Sequence, residues 1–146
     1  MRIKLRKETS MTAKQWNEMH KEKRSEHDEQ VEVVKYLARK KILYYAIPNG
    51  ANKSRTARSI FKAEGLIAGV PDLCICEANK YYHGLYIEMK KRIKTLKSGK
   101  KSISRPETQP EQLKWLDNLN SNGYYAVVCY GADEAIKVIE NYLEKA

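Results

Sequence analysis

Gly69-Val70-Pro71-Asp72-Leu73-Cys74-Ile75-Cys76, a polar Glu77-Ala78-Asn79-Lys80 break, and Tyr81-Tyr82-His83-Gly84-Leu85-Tyr86-Ile87-Glu88-Met89-Lys90 together decide how this chain folds. Val70 to Cys76 and Tyr81 to Lys90 are dense in β-branched, aromatic and aliphatic residues, and the break between them has turn composition. They read as two strands of an antiparallel hairpin. Residues equidistant from such a turn lie opposite each other, so Asp72 faces the region of Glu88. Lys90, two positions past Glu88, projects from the same strand face. Two carboxylates and one amine thus meet at one end of a sheet.

Carboxylates held close repel, and burying either costs roughly several kcal/mol unless a cation neutralises it. Mg²⁺ does so with hard oxygen ligands while keeping several waters, and a cation so placed acidifies bound water and stabilises charge growing on a phosphate. Lys90 suits the task of holding or activating an attacking water. The same residues also suit a plain structural role: Pro71 opening a strand, Asp72 capping a turn, and Glu88 with Lys90 as an ion pair on a wet sheet face. The flanking sequence decides between the two.

Working outward, residues 1–24 are charged and weakly periodic and read as a basic arm, with the folded domain spanning 25–146. A helix is expected from Glu26 to Lys40, a strand from Leu43 to Ile47, a turn at Asn49-Gly50, and a short helix from Arg55 to Glu64 ended by Gly65. Beyond the hairpin, Pro110 suits a first helical turn and Gly123 closes a helix over Glu111 to Asn122. In it Gln112, Leu116 and Leu119 share one face, which turns the Gln112 amide inward. A strand from Tyr124 to Cys129 and a last helix follow, with Ala132, Ala135, Ile136, Ile139 and Leu143 as its core stripe. This order fits an α/β fold with a mixed central sheet flanked by helices.

Charge points to a polyanion. There are 28 Lys and Arg against 18 Asp and Glu, a formal net charge of +10, so phosphate neutralisation would supply much of any binding energy. No acid interrupts the stretch from Lys90 to Arg105, and Lys91, Arg92, Lys94, Lys97, Lys100 and Lys101 read as a clamp on a nucleic-acid backbone. Lys53, Arg55 and Arg58 form a second cluster. Contacts of this kind read shape, and nothing in the chain resembles a base-reading helix or zinc finger.

At 146 residues and 42% hydrophobic content the chain is expected to be one domain with its own core. No run reaches membrane-spanning length and the first residues lack a signal's apolar stretch, so a cytoplasmic protein is expected, bacterial or in a host cell if phage-encoded. Cys74, Cys76 and Cys129 make neither a zinc pattern nor a disulfide framework and read as reduced core residues. His20, His27 and His83 lack metal-ligand spacing, although His27 adjoins Glu26.

Ile47-Pro48-Asn49-Gly50, Glu64 through Asp72, Tyr82 through Lys90, Gln112-Leu113-Lys114-Trp115-Leu116 and Asn122-Gly123-Tyr124 together resemble the VRR-NUC family, the virus-type replication-repair nucleases of the PD-(D/E)XK superfamily. The resemblance covers roughly residues 26 to 143. It implies a restriction-endonuclease-like fold and metal-dependent cutting of DNA. It also implies Asp72, Glu88 and the Met89 carbonyl as ligands of Mg²⁺ or Mn²⁺, Lys90 as the catalytic lysine, and Gln112 as the family's glutamine on the following helix. The family carries a glutamate on its first helix, four residues before a glutamine, which selects Glu26 ahead of Gln30 and leaves Glu29 in reserve. Helical geometry does not choose, since both acids fall near the stripe of Val33, Val34 and Leu37. The stretch from Lys97 to Pro110 is longer than the family's short approach to this helix.

Small members of the family are associated with cleavage of Holliday junctions as homodimers. The resemblance therefore implies branched DNA as partner and a two-fold dimer, because one site cuts one strand. Two other readings are a module that binds branched or single-stranded nucleic acid without cutting, and a sequence-specific restriction-type endonuclease.

Overall fold

The structure, a computed structural model, describes residues 12–20, 23–48, 54–102 and 104–145. Among the described residues, five helices and four strands follow one another as α1 (Ala13–His20), α2 (Glu26–Arg39), β1 (Tyr44–Ala46), α3 (Arg55–Ala63), β2 (Leu73–Ile75), β3 (Leu85–Lys90), α4 (Pro110–Ser121), β4 (Tyr125–Tyr130) and α5 (Ala132–Leu143). Helix α1 lies inside the stretch expected as an arm. The turn expected at Asn49-Gly50 falls outside the described residues, as does Lys53.

The sheet runs β1-β2-β3-β4. β1 and β3 both pair antiparallel with β2, whereas β4 joins β3 in parallel. A parallel neighbour needs a crossover, and α4 supplies it. The hairpin register sets Leu73 opposite Ile87 and Ile75 opposite Leu85, which carried one step further aligns Asp72 with Glu88.

Period-two alternation in β3 sorts its side chains to two helix layers. Leu85, Ile87 and Met89 are fully buried in the main core with Val33 and Leu37 of α2 and Ala135 and Ile139 of α5. Tyr86 faces the other way, toward a smaller cluster built on Leu116 and Leu119 of α4. Glu88 and Lys90 share the parity of Tyr86 and so lie beneath α4.

Both hairpin strands are shorter than their composition suggests. Pro71 has no N–H to give a ladder, and the Asp72 side chain takes the Met89 N–H at 2.8 Å in place of a backbone acceptor. At the turn, Asn79 Oδ1 accepts from the Tyr81 and Tyr82 amides, and Asn79 Nδ2 donates to the Tyr142 carbonyl, which curls the chain toward α5. Tyr82 is accordingly half-buried and stacked on Tyr125, while Tyr81 stays exposed. Cys74 and Cys129 are buried, but Cys76 lies past the end of β2 and is exposed.

Two glycines permit the packing around the sheet end. At Gly69, with φ +88°, a Cβ would come within 2.8 Å of Glu111, so only glycine lets the turn before Asp72 sit against the start of α4. At Gly131, with φ +92°, a Cβ would meet that of Arg92 at 2.7 Å.

That contact belongs to a buried junction centred on Glu29. Its carboxylate accepts from Arg92 Nε at 2.9 Å, from a second Arg92 nitrogen at 3.3 Å, and from the Ala132 amide at the start of α5 at 2.8 Å. Arg92 also donates to the more exposed Asp133 at 3.2 Å. α2, the exit of β3 and α5 are thereby tied together. Glu29→Ala would leave Arg92 with only the exposed Asp133 and the Ala132 amide without its acceptor, and is expected to cost about 3 kcal/mol. Asp133→Ala removes only a half-solvated pair and should cost under about 1 kcal/mol. Urea denaturation of both variants checks the contrast, and equal losses would refute it.

Candidate active site

Glu88 and Lys90 leave β3 on one face and are almost wholly buried, at 1% and 6% exposure. A charged pair survives there because the partners are close: Lys90 Nζ lies 3.1 Å from Glu88 Oε1. Gln112, from the first turn of α4, completes the arrangement. Its Nε2 donates to Glu88 Oε1, and its Oε1 accepts from Lys90 Nζ at 3.1 Å. The same Oε1 accepts the Gln109 amide at 2.9 Å, which anchors the glutamine to the helix start. One amide thus reads a carboxylate and an ammonium at once, and its orientation follows from that pairing.

Glu88 Oε2 is left buried without a hydrogen-bond partner. A carboxylate oxygen in that state is costly unless a cation or a proton arrives. Burial, then the neighbouring charge of Asp72, pushes the Glu88 carboxyl up to about 7, against the opposing pull of Lys90. Glu26 adds a smaller upward push. Glu26 is itself raised by partial burial and by Asp72, and is held down by Lys90 and Lys91. Glu26, Asp72, Glu88 and Lys90 therefore share one electrostatic neighbourhood.

The first helix contributes through its cap. Ser25 Oγ accepts from the Asp28 amide and the Ser25 amide donates to Asp28 Oδ2, so the helix begins at Glu26. That places Glu26 in the first turn at the site, half-buried, while Glu29 one turn further points into the Arg92 junction. The two candidate acids of the first helix have separate surroundings, and Glu29 has no part in the cluster. A buried-acid signal was present for it: Glu29, Val33 and Leu37 recur at i, i+4, i+8 and are all fully buried.

The donor set suits a hard divalent cation. Two adjacent carboxylates, one with an unpartnered buried oxygen, are what such an ion would neutralise. Among the described residues no three His, Cys, Asp or Glu side chains group in a way that could hold a metal. Backbone carbonyl, water and phosphate oxygens commonly complete a Mg²⁺ shell.

The basic residues divide into three groups. Lys91, Lys94, Lys97, Lys100 and Lys101 are exposed on a loop that closes on itself through Leu96 N to Lys100 O at 2.7 Å and Ser102 N to Lys94 O at 2.8 Å. Arg55 and Arg58 are exposed on α3. Arg92, expected among the backbone contacts, is instead an internal cation held by Glu29 and Asp133.

Comparison with known proteins agrees with this geometry. The VRR-NUC domain profile matches residues 7–133, nearly the whole chain. A solved structure described as a VRR_NUC domain protein superposes with a TM-score of 0.67 at 29% sequence identity, covering 84% of this chain and 91% of that one. No curated protein sequence matches. The fold and site define a nuclease-type α/β domain with a four-stranded mixed sheet. The chain belongs to the VRR-NUC family.

The raised Glu88 carboxyl gives a direct check. Its folded-state value lies above the ordinary one, so its contribution to stability is present at low pH and is lost as pH rises through about 7. Carbon-detected NMR of metal-free protein should show Glu88 titrating near pH 7, and a midpoint in the ordinary carboxylate range would contradict this environment.

Proposed function

We propose that the protein is a metal-dependent, structure-selective DNA endonuclease that hydrolyses phosphodiester bonds and resolves Holliday junctions as a homodimer in the cytoplasm. The observation that carries the reading is the unpartnered, buried Glu88 Oε2 beside Asp72, in hydrogen-bonding company with Lys90 and Gln112. A divalent cation would satisfy that oxygen and neutralise both carboxylates together.

In this reading Asp72 and Glu88 hold Mg²⁺ or Mn²⁺ together with the Met89 carbonyl, and the ion, when bound, acidifies water and stabilises charge on the phosphate. Asp72 already grips the Met89 amide, which keeps its carboxylate turned toward the end of β3. Lys90 spends two of its three N–H donors on Glu88 and Gln112 and has one left for the attacking water or a phosphate oxygen. Gln112 keeps the lysine and the glutamate from reorienting. Glu26, with its raised affinity for a proton, is suited to receive one from that water. The water oxygen bonds to phosphorus as one ester P–O bond breaks, and the leaving oxygen takes a proton.

Selectivity for DNA structure is supported by where the exposed cations sit, on a loop and on the α3 surface, as befits contacts to backbone. Dimerisation follows from the chemistry: symmetrical resolution needs two sites related by a two-fold axis.

Labelled four-way junction, flap, single-stranded and plain duplex DNA should be compared as substrates in Mg²⁺, with wild type beside Lys90→Ala. The expected result is paired cuts near the junction, slowed at least about a hundredfold by the substitution. Binding without cutting in either Mg²⁺ or Mn²⁺ would replace the reading with a non-catalytic module. Light scattering that gave a monomer with and without DNA would remove the dimer.

A further inference from the structure

Beside the site lies a cavity of about 590 Å³ whose walls come from two separated parts of the chain. Lys23 and Arg24, just before α2, form one wall, and Lys91, Lys94 and Arg105 of the basic loop form the other. Ser102 and Ser104 add hydroxyls, and no acid lines it. Arg92 reaches the same cavity, but its guanidinium is already matched by Glu29 and Asp133. It therefore serves as wall, and the remaining positive charge of the cavity is supplied by the other basic side chains.

Two of the lining residues relate the cavity to the end of β3. Lys91 follows Lys90 and acts electrostatically on Glu26. Arg105 lies over the Tyr130 ring at 5.4 Å, and Tyr130 is the β4 partner of Lys90 in register. The stacking holds one guanidinium beside the strand end while leaving its N–H edges available. The neighbouring cavity along α1 differs in kind, since Glu18, Glu32 and Asp133 line it beside Lys14 and Arg24.

The geometry points to a second phosphate subsite: the cavity between Arg24 and Arg105 takes the backbone of the same nucleic-acid strand, beyond the phosphate being cut. This rests on the nuclease reading and assigns the strand a path, out of the Asp72, Glu88 and Lys90 site and between the residues preceding α2 and the basic loop. Lys23 and Arg24 thereby become part of the substrate groove. The ligand is a run of phosphodiesters, for which a cavity of about 590 Å³ has room that one inorganic anion would not need.

Equilibrium binding tests the path without cleavage. Fluorescence anisotropy with labelled single-stranded and duplex DNA, in EDTA and over a salt series, compares wild type with Arg24→Ala/Arg105→Ala and with Arg105→Ala alone. Each phosphate contact contributes about 0.7 to the slope of log affinity against log salt for single strands and about 0.9 for duplex. The double variant should lose about 1.4 to 1.8 of slope and bind about tenfold or more weakly at low salt. The single variant should lose half the slope, and being on an exposed loop it keeps the test sound if the double variant misfolds. Unchanged slope and affinity in folded variants would overturn the subsite while wild-type cleavage in Mg²⁺ left the nuclease reading standing. Inorganic tripolyphosphate that bound wild type but neither variant, with DNA affinity unmoved, would make the cavity a small-anion pocket and overturn the strand path. Wild type that neither bound nor cut DNA would remove both.

Discussion

The burial of Glu88 and Lys90 under α4 is the constraint on which the remaining geometry depends. Two charges in a strand covered on both faces are tolerable only if each has partners, and here one glutamine serves both. That requirement places the first turn of α4 across the end of β3. It also demands the glycine at position 69, because the chain leading to Asp72 must pass close beneath Glu111. The two oxygens of Glu88 thus differ: the first holds the layers in register, and the second has no hydrogen-bond partner among the described residues.

A second buried charge does different work. Glu29 is as hidden as Glu88, yet all its interactions look inward, to Arg92 and to the start of α5. By joining three elements just behind the site, it holds α2 at the depth that brings Glu26 within electrostatic reach of Asp72 and Lys90. Carboxylates one helical turn apart can therefore face the candidate site and the internal packing separately. Their surroundings decide which, because the residue type is shared.

Much of this is legible along the chain. The alternation in Leu85 to Lys90 assigns faces before any helix is placed, and the break at Glu77 to Lys80 fixes the hairpin that brings Asp72 toward Glu88. Helix ends are legible too, since the Ser25 cap, Pro110, and Gly123 act within a few residues of themselves. Strand ends are less so. Asn79 shortens the hairpin by bonding to Tyr142, a residue far along the chain, and no local composition reports that bond. The basic loop shows the same limit: Arg92 and Lys91 are adjacent cations in one run, and one is internal while the other is exposed.

The sequence by itself determined the hairpin, the helix boundaries and the net charge, because periodicity, caps and charge are properties of neighbouring residues or of composition, and the order of its motifs carried the resemblance to the family. Only the tertiary structure decided that Glu26 rather than Glu29 lies near Asp72 and Glu88, that Gln112 bridges glutamate to lysine, and that Arg92 is paired with Glu29 and Asp133. Those outcomes turn on which partner crosses from another element, and at low dielectric a buried charge takes its role from the partner it meets.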